Sequence, residues 1–223
     1  MDSSYPEPEA LPFPGRVSVP HNPGELLTTT RTVRRRLDRD RPVEKVLIRR
    51  ALEVAAQAPT GGGTPRAHFV IVTDPAVRET LGEVYGRVWR ARYGEMLAAV
   101  ERSGTVPADL RSAAALAEDF GRIPVHVVAC ADTTGRDMGG NQASLWGSVL
   151  PAAWSYMLAA RALGLAAAWT TVLLDAEREV AEVLGLPPGI RIGAVLPTAY
   201  PLGDGFRPAR RDDWTAHVHE ERW

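Results

Sequence analysis

The chain has 223 residues, 26 basic against 27 acidic, with 45% hydrophobic and 24% charged side chains. Those are the proportions of an ordinary globular protein of one domain, and the near-zero balance argues against general nucleic-acid binding. Cys130 is the single cysteine, which excludes a disulfide framework and favours a reducing compartment. Neither a spanning apolar stretch nor a basic-then-apolar leader is visible, so a cytoplasmic protein away from membranes is expected.

Lys45 is the only lysine, which leaves 25 arginines. It sits at an amphipathic helix start, so Schiff-base chemistry and a Walker phosphate loop both fail. Codon preference of the source genome accounts for most of the arginine excess. The question is whether a few arginines do more.

Residues 1–25 hold six prolines and no helical or strand period, and read as an extended arm before a single domain over 26–223. Thr28, Thr29 and Thr30 offer N-caps for a short helix through about Leu37. Residues 43–57 have helical apolar spacing and stop before Pro59. Residues 68–73 form a β-rich run, expected as a buried strand. Two or three helices follow over 76–120, broken near Gly86 and at 104–107.

A second buried strand is expected at 125–131, and a glycine-rich loop at 132–142. Residues 143–163 make a long, almost uncharged helix, which predicts burial on all sides. A third strand at 165–169, a helix at 176–184 and a fourth strand at 190–196 complete the pattern. The class is α+β: a mixed sheet flanked by helices.

Common catalytic constellations are absent. There is no Gly-x-Gly-x-x-Gly after a strand, no Gly-x-Ser-x-Gly and no His-Glu-x-x-His. His217 and His219 lack further ligands nearby, so no metal site is expected. Cys130 falls inside a predicted core strand.

Three segments carry more. In the first, Arg31 and Arg34 would share a face of the predicted helix with Thr32 beside them, a set that suits a phosphate or a solvated basic helix paired with Asp38 and Asp40. The second is Pro59-Thr60-Gly61-Gly62-Gly63, where glycines let backbone approach a flat ligand or simply supply a flexible loop. The third is Thr170-Thr171 at a strand end, a ligand contact or a polar strand exit.

Taken in order, these segments resemble the nitroreductase-like flavoprotein family. Thr30-Arg31-Thr32-Val33-Arg34 is similar to its opening Arg-Arg-Ser-x-Arg, and residues 58–72 to its Ala-Pro-Ser-Gly-x-Asn-x-Gln-Pro-Trp-x-Phe-Val-Val-Val. Residues 147–165 resemble its long alanine-rich helix, Thr170-Thr171 the pair after the next strand, and Leu184-Gly185-Leu186-Pro187 with residues 196–201 its end.

The resemblance implies a three-layer α-β-α fold, non-covalent FMN and a homodimer with sites at the subunit interface. It implies hydride transfer from NADH or NADPH through flavin N5 to a small electrophile such as a nitroaromatic or quinone, by alternation in one pocket. Family alternatives are an oxygen-using flavin dehydrogenase and a flavin-sequestering protein without turnover. By position, Arg31, Thr32 and Arg34 would hold the phosphate and ribityl chain, with Arg210 or Arg211 closing over the phosphate. Pro59, Thr60 and Gly61 would line the flavin ring, and Thr170 and Thr171 its other side. No catalytic acid or nucleophile is implied, since the flavin carries the chemistry.

This chain departs from the pattern at Thr30, at Gly63 (asparagine in the family), at Pro65-Arg66-Ala67 (Gln-Pro-Trp) and at Trp154-Ser155 (Gln-Asn). By the resemblance, the changes bear on the substrate face and the redox potential more than on the fold.

Overall fold

The computed structural model describes residues 22–203 and 205–223. Of the expected N-terminal arm, residues 1–21 lie outside the described residues. The arm's last residues are helical: α1 spans Pro23–Thr29, with Asn22 as N-cap accepting from the Glu25 amide at 2.9 Å.

The helix expected over 28–37 is therefore displaced. Thr28, Thr29 and Thr30 end α1 rather than start a helix, because their hydroxyls donate back to the carbonyls of Gly24, Glu25 and Leu26 at 2.6–2.7 Å. Residues 30–44 are non-helical and run along the end of the sheet. The Val33 amide donates to Ala167 O, Asp38 N to Tyr200 O, and Leu202 N returns to Arg36 O.

The remaining elements follow in chain order: α2 Lys45–Ala55, β1 Ala67–Val72, α3 Pro75–Arg102, α4 Ala108–Asp119, β2 Val125–Asp132, α5 Ala143–Ala162, β3 Ala166–Ala167, α6 Glu177–Leu184 and β4 Ile190–Ala199. The sheet order is β1-β2-β4-β3, and every pairing is antiparallel. β2 is buried on both faces, as its unbroken apolar run predicts. Val125, Val127, Ala129 and Ala131 face α2 and α5, while Val128 and Cys130 face α3, α4 and α6. Helices thus cover both sheet faces, giving the expected three layers. Burial pushes the Cys130 thiol up to about 12, as befits a packing residue.

Four expectations need correction. β1 is an edge strand and only partly buried, with His68 and Ile71 exposed. α3 runs through Gly86 without a break. Gly82, one turn earlier, packs so closely on the next layer that a Cβ would lie 2.7 Å from Gly121 Cα, so glycine here serves approach rather than interruption. The third strand shrinks to two residues plus an isolated bridge from Thr170 to Val195. Finally, α5 is not buried all round. Gly147, Leu150, Pro151, Trp154 and Leu158 form an incompletely covered apolar stripe, with Trp154 38% exposed.

Candidate functional site

A cavity of about 380 Å³ opens where residues 169–172 meet α3 and α4. Arg34, Trp169, Thr170 and Thr171 form one wall. Tyr85, Trp89, Tyr93 and Met96 from α3, with Asp109 and Leu110 from α4, form the other. The walls meet at the base, where Tyr85 OH and Thr170 Oγ1 lie 3.0 Å apart in the buried core. Burial raises the Tyr85 pKa, partly opposed by the Thr170 bond and the Arg34 charge.

Behind the base the rings continue. Tyr85 stacks on Phe120 at 4.0 Å, and Phe120 stacks on His126 at 4.4 Å. His126 is fully buried, and neither ring nitrogen has a hydrogen-bond partner among the described residues. Burial and the nearby Arg78 charge drive its pKa down to about 3, against a weak pull from the Phe120 backbone. It is held as a neutral ring in the core.

The structure brings Arg34, Thr170 and Thr171 together. Because residues 30–44 are not helical, Arg31 and Arg34 do not share a helix face. Arg31 lines a separate small crevice with Met157, Arg161 and Phe206, and its Nη1 donates to Arg207 O at 3.2 Å. Thr32 sits between them, its Oγ1 accepting from Trp169 N at 3.3 Å, which leaves its hydroxyl proton to give.

Thr170 is fully engaged: its backbone pairs with Val195 in both directions, and its hydroxyl meets Tyr85 and the Val172 amide. Thr171 is exposed, and its hydroxyl makes no hydrogen bond among the described residues.

Arg210 and Arg211 are exposed on the segment after Phe206 and have no ion pair among the described residues. The Phe206 ring lies under two guanidinium groups, those of Arg36 and Arg161, each 4.7 Å from its centroid.

Pro59, Thr60 and Gly61 lie elsewhere. The Gly61 amide donates to Ser148 Oγ at 2.8 Å, near the start of α5. Arg161, beside Arg31, is thirteen residues further along α5, about 20 Å at the helical rise. One chain therefore does not bring these two parts of the expected set together. Gly62 and Gly63 have φ of +71° and +69°, and a Cβ on either would meet nothing within 4 Å. Their backbone is open to a partner. Arg66, suspected on the substrate face, is bound to the Asp132 and Thr134 carbonyls at 3.2 and 3.4 Å.

A larger cleft, about 860 Å³, involves Arg39, Arg78 and Arg122. Its lining mixes both signs, with Glu79, Glu83 and Glu118 among the cations; Arg39 pairs with Asp119 at 2.5 Å, and Arg78 Nη1 donates to the Gly121 and Ile123 carbonyls. The smaller cavity, walled by rings and holding Arg34 with no ion-pair partner among the described residues and a single carboxylate in its lining, is the better site for a flat anionic ligand.

Sequence reasoning missed Tyr85, Trp89, Tyr93 and Asp109. A signal existed in the rings at i, i+4 and i+8 of one helix, but that spacing equally describes core packing.

The Nitroreductase family's sequence model matches residues 27–200. A relative from Methanothermobacter thermautotrophicus, named "Putative NADH dehydrogenase/NAD(P)H nitroreductase", is 26% identical over 203 residues, covering 89% of this chain and 86% of its own. Oxidized iodotyrosine deiodinase, in a crystal structure bound to FMN and 3-iodo-L-tyrosine, superposes with a TM-score of 0.68 at 18% identity over 90% of this chain and 98% of that one. A nitroreductase-like protein from Bacillus cereus gives 0.64 at 18% identity, over 92% and 98%. With the fold matched along almost its whole length and the family pattern spanning residues 27–200, this chain belongs to the nitroreductase family.

Proposed function

We propose that this chain binds FMN non-covalently and, as a homodimer, passes hydride equivalents from NADH or NADPH to a small electrophilic acceptor. The observation that carries the reading is Arg34 in one wall of the ring-lined cavity, its guanidinium without an ion-pair partner among the described residues, with Thr171's unengaged hydroxyl in the same wall. A flavin offers a phosphate to such a cation and a polar ring edge to such a hydroxyl.

The residues present fit the cofactor. Arg34, Arg31 and Arg210 or Arg211 would hold the phosphate, and Thr32 would donate to phosphate or ribityl oxygens. Thr171 would meet the ring edge, with Thr170 fixed behind it by Tyr85. FMN, when bound, supplies the two-electron centre that takes hydride from the nicotinamide and delivers it to the acceptor. The protein's part is to orient the ring and exclude water.

Two features support the homodimer. Pro59, Thr60 and Gly61 lie about 20 Å along α5 from Arg31, so a second copy is needed to bring them to the flavin. The apolar stripe of α5 around Trp154 is the face that such a copy would cover.

Purified protein should be yellow, and NADH or NADPH added without oxygen should bleach it within seconds. Bound flavin that neither nicotinamide reduces would remove the reductase reading and leave oxygen-dependent chemistry or flavin storage. Colourless protein that takes up no FMN would overturn the proposal. Arg31→Ala should weaken FMN binding at least tenfold, since a phosphate loses a charged partner.

A further inference from the structure

The α3 wall of the cavity changes character along its length. Tyr85 at the base is 2% exposed and Met96 is 48% exposed, so base and mouth lie eleven residues apart, about 16 Å of helix. Between them stand Trp89 and Tyr93, one helical turn apart, their ring centroids 5.8 Å from each other and tilted by 42°. Across from them α4 presents Asp109, exposed in its first turn.

Asp109 is the one carboxylate in the lining, and it has no ion pair or side-chain hydrogen bond among the described residues. The other cation near these rings, Arg92, lies 5.4 Å from the Tyr93 centroid and pairs with Asp175 at 2.8 Å. Arg34 belongs to the opposite wall, with Thr170 and Thr171. The cavity thus has a cationic wall beside the proposed flavin and a mouth where the partly exposed Tyr93 ring and one exposed carboxylate stand above the buried Trp89. Aromatic faces attract cations through the ring quadrupole, and a carboxylate adds to that attraction.

We infer that the acceptor is a planar aromatic molecule carrying a positive charge. Its reducible ring enters toward Thr171 and its cationic substituent stays at the mouth, between the Tyr93 ring and Asp109. The inference rests on the flavin reading above and names the substrate class of that site. A carboxylate in the first turn of α4 also suits the helix dipole, but that role affects stability and not ligand choice.

Three nitrobenzenes serve as probes: (4-nitrobenzyl)trimethylammonium, 4-nitrobenzyl alcohol and 4-nitrobenzoate. Their affinities are read by flavin absorbance changes and by quenching of tryptophan fluorescence, since Trp89 and Trp169 lie in opposite walls. The ammonium compound should bind roughly fivefold more tightly than the alcohol, the scale of an exposed cation–π contact assisted by one carboxylate, with the benzoate weakest.

Asp109→Asn should bring the ammonium compound within about twofold of the alcohol, whose own affinity should not move. Tyr93→Leu should weaken the ammonium compound more than the alcohol. An unchanged order in Asp109→Asn, equal affinities in the parent protein, or no binding of any probe would overturn the inference. If the protein takes up no FMN, the flavin reading fails on its own, and the same quenching titration on flavin-free protein still reads the charge preference.

Discussion

Tyr85 OH and Thr170 Oγ1 lie 3.0 Å apart and join the longest helix to the loop after β3, closing the base of the cavity from behind. Tyr85→Phe keeps the stacked ring but leaves the Thr170 hydroxyl without that partner in the core. The expected cost is about 1–2 kcal/mol of folding stability, read as a lowered urea midpoint with an unchanged slope. FMN affinity should fall as well, because Thr171 is held by its neighbour. Unchanged FMN affinity would show that the loop keeps its place without the bond.

His126 makes the acid limb of stability predictable. Its pKa falls from an ordinary 6.5 to about 3 in the folded chain. Between those values the unfolded chain carries a proton that the folded chain lacks. Stability is therefore fully present above about pH 6.5 and declines as pH drops toward 3, by up to about 1.4 kcal/mol per unit from this group. Urea unfolding of His126→Phe between pH 7 and 4 should show a shallower decline than the parent. The same slope in both would mean that the buried ring does not titrate as its surroundings require.

Gly82 and Gly121 test the α3 packing. In Gly82→Ala the new methyl would sit 2.7 Å from the Gly121 backbone, which has no side chain to yield. The turn at Phe120–Arg122 must move, at about 1–3 kcal/mol. Phe120 belongs to the ring stack, so near-ultraviolet circular dichroism should change with the stability. Full stability would show that α3 slides without cost.

Trp154→Glu examines the α5 stripe. A carboxylate at the centre of an apolar contact between copies is expected to yield a monomer by sedimentation, with FMN affinity reduced at least tenfold, since Pro59 to Gly61 of the second copy would be lost from each site. A dimer of unaltered mass would place the contact on another face.

How far the sequence was legible depends on which force sets each element. β2 and α2 show their burial in their own pattern, since one is apolar throughout and the other periodic. The threonines of residues 28–30 misled because a hydroxyl caps a helix start or bonds back at a helix end with the same chemistry, and only the next turn decides. Gly86 did not break α3, because the buried face it shares with Leu81, Tyr85 and Trp89 holds the helix and tertiary contact outweighs propensity. At the site, Arg34 was legible as a guanidinium for a phosphate and Thr171 as a polar residue at a strand end, and both line the cavity. Thr170 was not legible as a residue consumed by Tyr85, 85 positions away in the chain. Nor was the aromatic mouth, whose meaning depends on α4 folding back across α3.

The Phe206 ring, held between Arg36 and Arg161, also sets a leash. Arg210 follows four residues later, so even a fully extended chain carries its Cα no more than about 14 Å from that anchor. Phe206 lines the same crevice as Arg31. Arg210 and Arg211 are therefore kept within reach of the crevice proposed for the FMN phosphate, at a high local concentration whatever conformation the segment takes. Loosening that contact, and not only deleting Arg210, would dilute the charge available to the phosphate of the proposed FMN.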